Sequence, residues 1–294
     1  MNTERCRWLA LACLMLSTAH ADDANKHSAT LSVLADENDN RQWLGAFALP
    51  LGESAWAQAS VGKSELTAAG ATDMRIVGAA FGTAGRTIHT AVEFVQRKDD
   101  ARFEQQSWTA TLDWRGARGG LGADVHLRSA DGESTTTQPG GVFAAPVTTT
   151  IEESVRGRGF GLHGDFALTP RVHVFAAAMH YRYDFDVETT TSAASTPLAS
   201  LLGPNTVLSG AWRDQAFVDR SYRIGGSYRL QSAALSAQYF RDRIANSDEA
   251  LNTVELQAEL PIAEHWSLSP RVGYSQGGAS GNVGYGGMSL KFSW

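Results

Sequence analysis

Apolar and polar residues alternate with a period of two along much of this chain. In RTIHTAVEFV (86–95), Ile88, Val92 and Phe94 share a face with Thr90, while His89, Ala91 and Glu93 take the other. SWTATLDW (107–114) sets Trp108, Ala110, Leu112 and Trp114 against Ser107, Thr109, Thr111 and Asp113. GLGADVHLR (120–128) sets Leu121, Ala123, Val125 and Leu127 against Gly122, Asp124, His126 and Arg128. NTVELQAEL (252–260) sets Val254, Leu256, Ala258 and Leu260 against Thr253, Glu255, Gln257 and Glu259. Successive side chains of a strand point to opposite faces, so this period predicts strands with one apolar and one polar face. Helical periodicity is nowhere sustained.

The pattern predicts strands over 28–36, 41–50, 54–64, 73–83, 86–97, 102–115, 119–129, 153–168, 170–186, 217–230, 232–245, 250–261, 264–276 and 282–294. The first four are the least regular; WLGAFALPL is apolar on both faces. PLGES, GTAG, RGAR, LTPR, LQSA and PIAE make short turns. Between them fall DENDN, LTAAGATD, RKDDA, long stretches over 129–152 and 187–216, ANSDEA and QGGASG. Short and longer connections alternate, which gathers the tight turns at one end of a meander and the loops at the other.

A soluble sandwich or lipocalin-like barrel also alternates. Its interior, however, would not hold polar faces as charged as these, and so many strands are too many for a small closed soluble barrel. Aromatic residues gather at strand ends: Trp108, Trp114, Tyr181, Tyr183, Phe185, Tyr228, Trp266, Tyr274, Phe292 and Trp294. Apolar outside, polar inside, aromatic girdles and two kinds of connection predict an all-β fold, a transmembrane antiparallel up-and-down barrel of about 14 strands, with 12 as the alternative.

GGMSLKFSW (286–294) is the most specific stretch: Met288, Leu290, Phe292 and Trp294 alternate with Gly287, Ser289, Lys291 and Ser293. It resembles the assembly signal of Gram-negative outer-membrane β-barrels, in which alternate residues back from an aromatic terminus are apolar. Trp294 replaces the more usual Phe, and Ser289 stands where a glycine is often found. In size and architecture the chain resembles the monomeric general porins. The resemblance implies a monomer in the outer membrane, with membrane lipid, lipopolysaccharide and the barrel-assembly machinery as partners and small hydrophilic solutes as cargo.

The other end fits export. Arg5 and Arg7, the apolar run WLALACLML and the small-residue site Ala19-His20-Ala21 form a signal-peptide pattern over 1–21, leaving a barrel domain over 22–294. Cys6 and Cys13 both fall in the leader, so no disulfide or thiolate metal site is expected in the mature chain, and no cofactor. The formal net charge of −6 argues against a nucleic-acid partner, which would want a basic face.

Two familiar motifs lack their structural context. GFGLHG (159–164) matches a dinucleotide fingerprint, but Phe160, Leu162, Phe166 and Leu168 face one way and place its glycines inside a strand. GYSQG (273–277) matches a nucleophile elbow, yet Ser275 runs into the loop GGASGN. The polar faces carry the candidate function. The alternation turns Glu93, Asp113, Asp124, Asp165, Asp184, Asp242, Glu255 and Glu259 inward, with Arg128, Arg182, Arg223, Arg229, Arg271 and Lys291. His126, His163 and His180 share those faces. Signs so nearly balanced imply no strong ion selectivity. An Asp–His pair among these residues could instead activate water, as in an outer-membrane barrel hydrolase; a closed structural or adhesive barrel is the third reading. The long stretches 129–152 and 187–216 are rich in Thr, Ser, Ala and Gly and read as disordered surface loops; the alternative is that one folds into the mouth, with LASLLG (198–203) the apolar segment to pack inward.

Overall fold

A computed structural model of the chain describes residues 27–66, 72–99, 103–138, 147–192, 217–245, 249–277 and 282–294. Its first seven strands are β1 (Ser28–Asp36), β2 (Arg41–Pro50), β3 (Ala55–Leu66), β4 (Thr72–Ala84), β5 (Ile88–Asp99), β6 (Phe103–Arg115) and β7 (Gly119–Gln138). The second seven are β8 (Val147–Thr169), β9 (Val172–Ser192), β10 (Val218–Arg229), β11 (Ala234–Ile244), β12 (Ala250–Ala263), β13 (Trp266–Gln276) and β14 (Val283–Ser293). Each pairs antiparallel with its sequence neighbours, and β14 returns to β1, from Ser28 opposite Ser293 to Asp36 opposite Tyr285. Closure leaves no sheet edge. Lipid cannot hydrogen-bond a free N–H or C=O, so only such a sheet survives in a bilayer.

The register assigns the faces. Leu31, Gly45, Val61 and Val77 follow one another across β1 to β4 and share the outer surface. Their row of exposed apolar neighbours continues through Val92, Leu112, Leu121, Leu162, Ile224, Leu256, Val272 and Met288. A contiguous apolar belt of this extent on a single chain marks a membrane surface. The stripe Met288, Leu290 and Phe292 lies in it, because these residues stand opposite Val33, Leu31 and Ala29 on the β1 side.

The first hairpin shows how a connection on the loop side stays tight. Asp36 Oδ1 accepts from the N–H groups of Asn38 and Asn40, each at 2.9 Å, and Asn40 Nδ2 donates to Oδ2 at 3.1 Å. Asp39 then takes φ = 59°, a left-handed conformation that Asp tolerates better than most residues.

Strand bounds differ from the periodicity by at most two residues except at the loop-side ends of β7, β8 and β9. There 129–138 and 147–152, expected as loop, are strand, and β9 runs on to Ser192. Thr135, Thr136 and Thr137 pair with Thr150, Thr149 and Thr148, which pair in turn with Thr190, Thr191 and Ser192. β-branched threonine suits a strand, but a run of threonines has no apolar–polar alternation to announce one. The three strands therefore stand above the rest of the rim. The leader over 1–21 and LASLLG over 198–203 lie outside the described residues.

Candidate functional site

The inner wall is the candidate site. By register Glu93, Asp113, Asp124, His126, Arg128, His163, Asp165, Arg223, Arg229, Glu255, Glu259 and Arg271 all project from the inner face, as do Asp242 and Lys291. His180 and Arg182 do not. They stand opposite Phe160 and Arg158 on the outer face, and Asp184 follows them. In MHYRYDF the chain has climbed past the apolar belt. There the outer face is wet and takes the charges, while Tyr181, Tyr183 and Phe185 turn inward instead of forming an interface girdle. They find room because Gly159 and Gly157 on β8 carry no side chain, and the rings of Tyr181 and Tyr183 lie over them. The glycines of GFGLHG are wall packing rather than a phosphate cradle. Ser275 of GYSQG is buried at the end of β13, its Oγ 2.8 Å from Thr253 Oγ1, with no turn into a helix.

Two polar bridges cross the inner wall, and both span a glycine. In the first, His163 on β8 reaches over Gly122 of β7 to β6: Nε2 is 2.5 Å from Asp113 Oδ1 and Nδ1 is 2.7 Å from Asp124 Oδ2. Gly122 stands opposite both Asp113 and His163, and a Cβ there would collide with the imidazole. Thr111 Oγ1 donates to Asp124 Oδ1 at 2.8 Å, and Arg115 Nη1 meets Asp165 Oδ1 at 2.6 Å. In the second, Tyr285 of β14 reaches over Gly273 of β13 and donates to Glu255 Oε2 at 2.9 Å. Gln238 Nε2 donates to Glu255 Oε1 at 2.5 Å, and Arg223 donates to Gln238 Oε1 at 2.9 Å and 2.5 Å. The Arg223 guanidinium also lies 4.9 Å from the Phe175 ring centre and 5.3 Å from that of Phe240.

This geometry bears on the hydrolytic reading. A histidine that activates water needs one ring nitrogen free for the proton. Both nitrogens of His163 are held by carboxylates. The cluster is a clamp across three strands. His163→Ala leaves two facing carboxylates without their shared partner, and we expect it to lower barrel stability by about 2 kcal/mol, the order of a lost charge-assisted hydrogen bond. Denaturant unfolding of refolded protein measures this. Gly122→Val should cost a similar amount by displacing the same imidazole.

The lumen is not uniform along its axis. Apart from Ser28 and the mid-wall Ser60, the buried inward side chains lie toward the loop side: Leu34 and Ile76 are each 1% exposed, and Arg97 and Glu153 each 2%. Met74, Phe103, Ala130, Val155 and Phe217 form one buried apolar cluster against which Tyr183 packs. They come from β4, β6, β7, β8 and the residue leading into β10, strands that span half of the wall. Side chains fill the outer half of the barrel there. Toward the short turns, inward groups such as Glu93, Asp165 and Lys291 are half-exposed, and Arg229 and Glu259 are solvent-exposed at the rim or near it. Sequence reasoning missed Arg97, Tyr285 and Phe217. Arg97 was legible as an inward position, two residues beyond Val95 on the Glu93 face, and so was Tyr285, two residues before Gly287 on the inward face of the last strand; Phe217 opens its predicted strand and had no alternating context.

No protein-family model matches the chain, and no curated protein matches it in sequence. Solved structures do resemble it. A structure titled "CymD monoaromatic hydrocarbon channel" superposes with a TM-score of 0.56 at 7% identity, covering 91% of this chain and 87% of that one. "Outer-membrane expressed OmpT of Vibrio cholerae" gives 0.50 at 10% identity, covering 92% and 96%. At these identities the likeness is one of fold. The fold is that of the outer-membrane β-barrels.

Proposed function

We propose that the protein is a monomeric outer-membrane channel that passes small hydrophilic solutes by diffusion. One observation carries the reading: a closed barrel, apolar outside, whose inner wall carries charged groups of both signs that are more exposed toward the short turns than toward the loops. Strands with this division of faces make a water-lined passage through lipid. The side chains filling the outer half set its width. Refolded protein in a planar bilayer should give discrete conductance steps with weak ion selectivity; silence from correctly folded protein overturns the proposal.

A second reading follows from the filled half itself. Phe103, Phe217, Met74 and Val155 offer an apolar contact surface in the path of any solute, and Tyr183 and Phe185 meet the Phe217 ring edge-on. Such a lining favours an aromatic or amphipathic solute over a sugar, and one fold neighbour is titled a monoaromatic hydrocarbon channel. Liposome uptake separates the two. A hydrophilic channel admits labelled sugars, whereas the second kind admits a small aromatic and excludes them.

A further inference from the structure

The outer surface carries a band of charge that a lumen does not use. On four adjacent strands, just beyond the apolar belt on the loop side, stand Arg156 and Arg158 of β8, Arg182 of β9, Arg220 of β10, and Arg241 and Arg243 of β11, all exposed. Two of the cross-strand pairs set like charges face to face: Arg158 opposite Arg182, and Arg220 opposite Arg243. Directly opposed like charges destabilise a sheet, and the cost is removed when an anion bridges them. The acids in the band are fewer than its arginines, and Asp184 stands opposite Arg156 in the register. Asp184 is 3.9 Å from Arg158, and Asp219 is 3.6 Å from Arg220 and from His180. Among the described residues no acid lies within ion-pair distance of Arg156, Arg182 or Arg241.

The ground beneath the band is apolar. A groove of about 410 Å³ beside Arg156 and Arg158 has Trp108 and Leu127 on its membrane side and Gln106, Ser129 and Asp184 above. Phe160 follows Arg158 on the same outward face of β8, and Tyr222 of β10 stands opposite Arg241 of β11, both rings exposed. An occupant must therefore be anionic at one end and hydrocarbon at the other, lying along the wall of the barrel. In barrels of this class the longer loops face the exterior, which puts the band at the headgroups of the outer leaflet.

We propose that the arginine band on β8 to β11 binds the phosphates of an outer-leaflet glycolipid whose acyl chains run down the belt beside Trp108 and Leu127. Guanidinium groups pair bidentately with phosphate, which accounts for arginine rather than lysine at all six positions. The inference rests on the membrane placement of the barrel and not on its conductance, so a silent channel leaves it standing. The test uses full-length refolded protein, the triple variant R156Q/R158Q/R182Q, and a control, R41Q/K63Q/R75Q. The control removes the same charge from outward, loop-side positions of β2 to β4. Each is titrated with bisphosphorylated lipid A, with its dephosphorylated form and with inorganic pyrophosphate, after heat-modified gel migration has confirmed folding. Lipid A should stabilise wild type and control alike against thermal unfolding. The triple variant should bind at least about tenfold more weakly, the loss of one charge-assisted contact or more. Dephosphorylated lipid should have little effect on any of them. Equal affinity in triple variant and wild type, or equal loss in the control, overturns the site. Pyrophosphate as effective as lipid A overturns the lipid as its occupant.

Discussion

Removing Phe292–Trp294 is expected to abolish barrel formation. Phe292 pairs with Ala29 on one side and Trp266 on the other, so these residues fasten β14 to both neighbours at the short-turn rim. Trp294 N–H donates to His27 O at 3.0 Å and Ser293 N–H to His265 O at 2.9 Å, and both bonds go with the truncation. The rings form a continuous patch over the seam: Trp294 lies 5.6 Å from His27, 5.2 Å from Phe292 and 5.8 Å from Phe47. A seam opened at its base exposes β1 backbone groups to the membrane, and each unsatisfied group there costs several kcal/mol. Refolding into lipid vesicles, read by heat-modified gel migration, should give no folded band for the truncated chain. The variant F292S/W294S separates the two contributions. It keeps the ladder but loses the apolar stripe, and should fold in reduced yield. A truncated chain that folds as well as the full chain shows that neither the seam nor the stripe governs closure.

The period of two was legible wherever one face of a strand meets lipid and the other water, which covers most of the wall. It failed where that contrast ends. The Thr-rich ends of β7 and β8 carry no alternation of apolar and polar residues, so they read as loop. The same boundary reversed the reading of β9, whose aromatic face turns inward once its charges have reached water. Within the outer half the contrast fades for the opposite reason. Leu34, Leu44, Ile76 and Val95 are inward yet apolar, because side chains rather than water surround them. That explains why the early strands showed apolar residues on both faces. The polar clamp was half legible. Asp113, Asp124 and His163 were placed on the inner faces of neighbouring strands, but only the register reveals that Gly122 clears the path between them. Alternation assigns a face; it does not assign a height along the axis, and height decides which inward groups meet.

Height also decides where the passage is narrowest, and that gives the last expected result. F103A and F217A should each raise single-channel conductance, and the double variant should raise it several-fold. Both rings are buried in the cluster with Met74, Ala130 and Val155, where inward side chains exclude water. An apolar constriction obstructs ions in two ways, through its radius and through the cost of wetting it, so a modest increase in width acts on both. Each truncation should cost about 3 kcal/mol of stability, as for a buried aromatic side chain, so folded yield must be matched before currents are compared. Ala130→Trp tests the opposite sign. Ala130 is 2% exposed in the same cluster, and a larger side chain there should lower conductance without touching any ionised group. His163→Ala serves as the comparison within the open half. It removes a charged partner from the wall and should leave the size of the current steps nearly unchanged. If the phenylalanine variants fold and conduct as the wild type does, the cluster is not the limiting element. The resistance then belongs elsewhere along the lumen, and the case for an apolar solute path loses its main support.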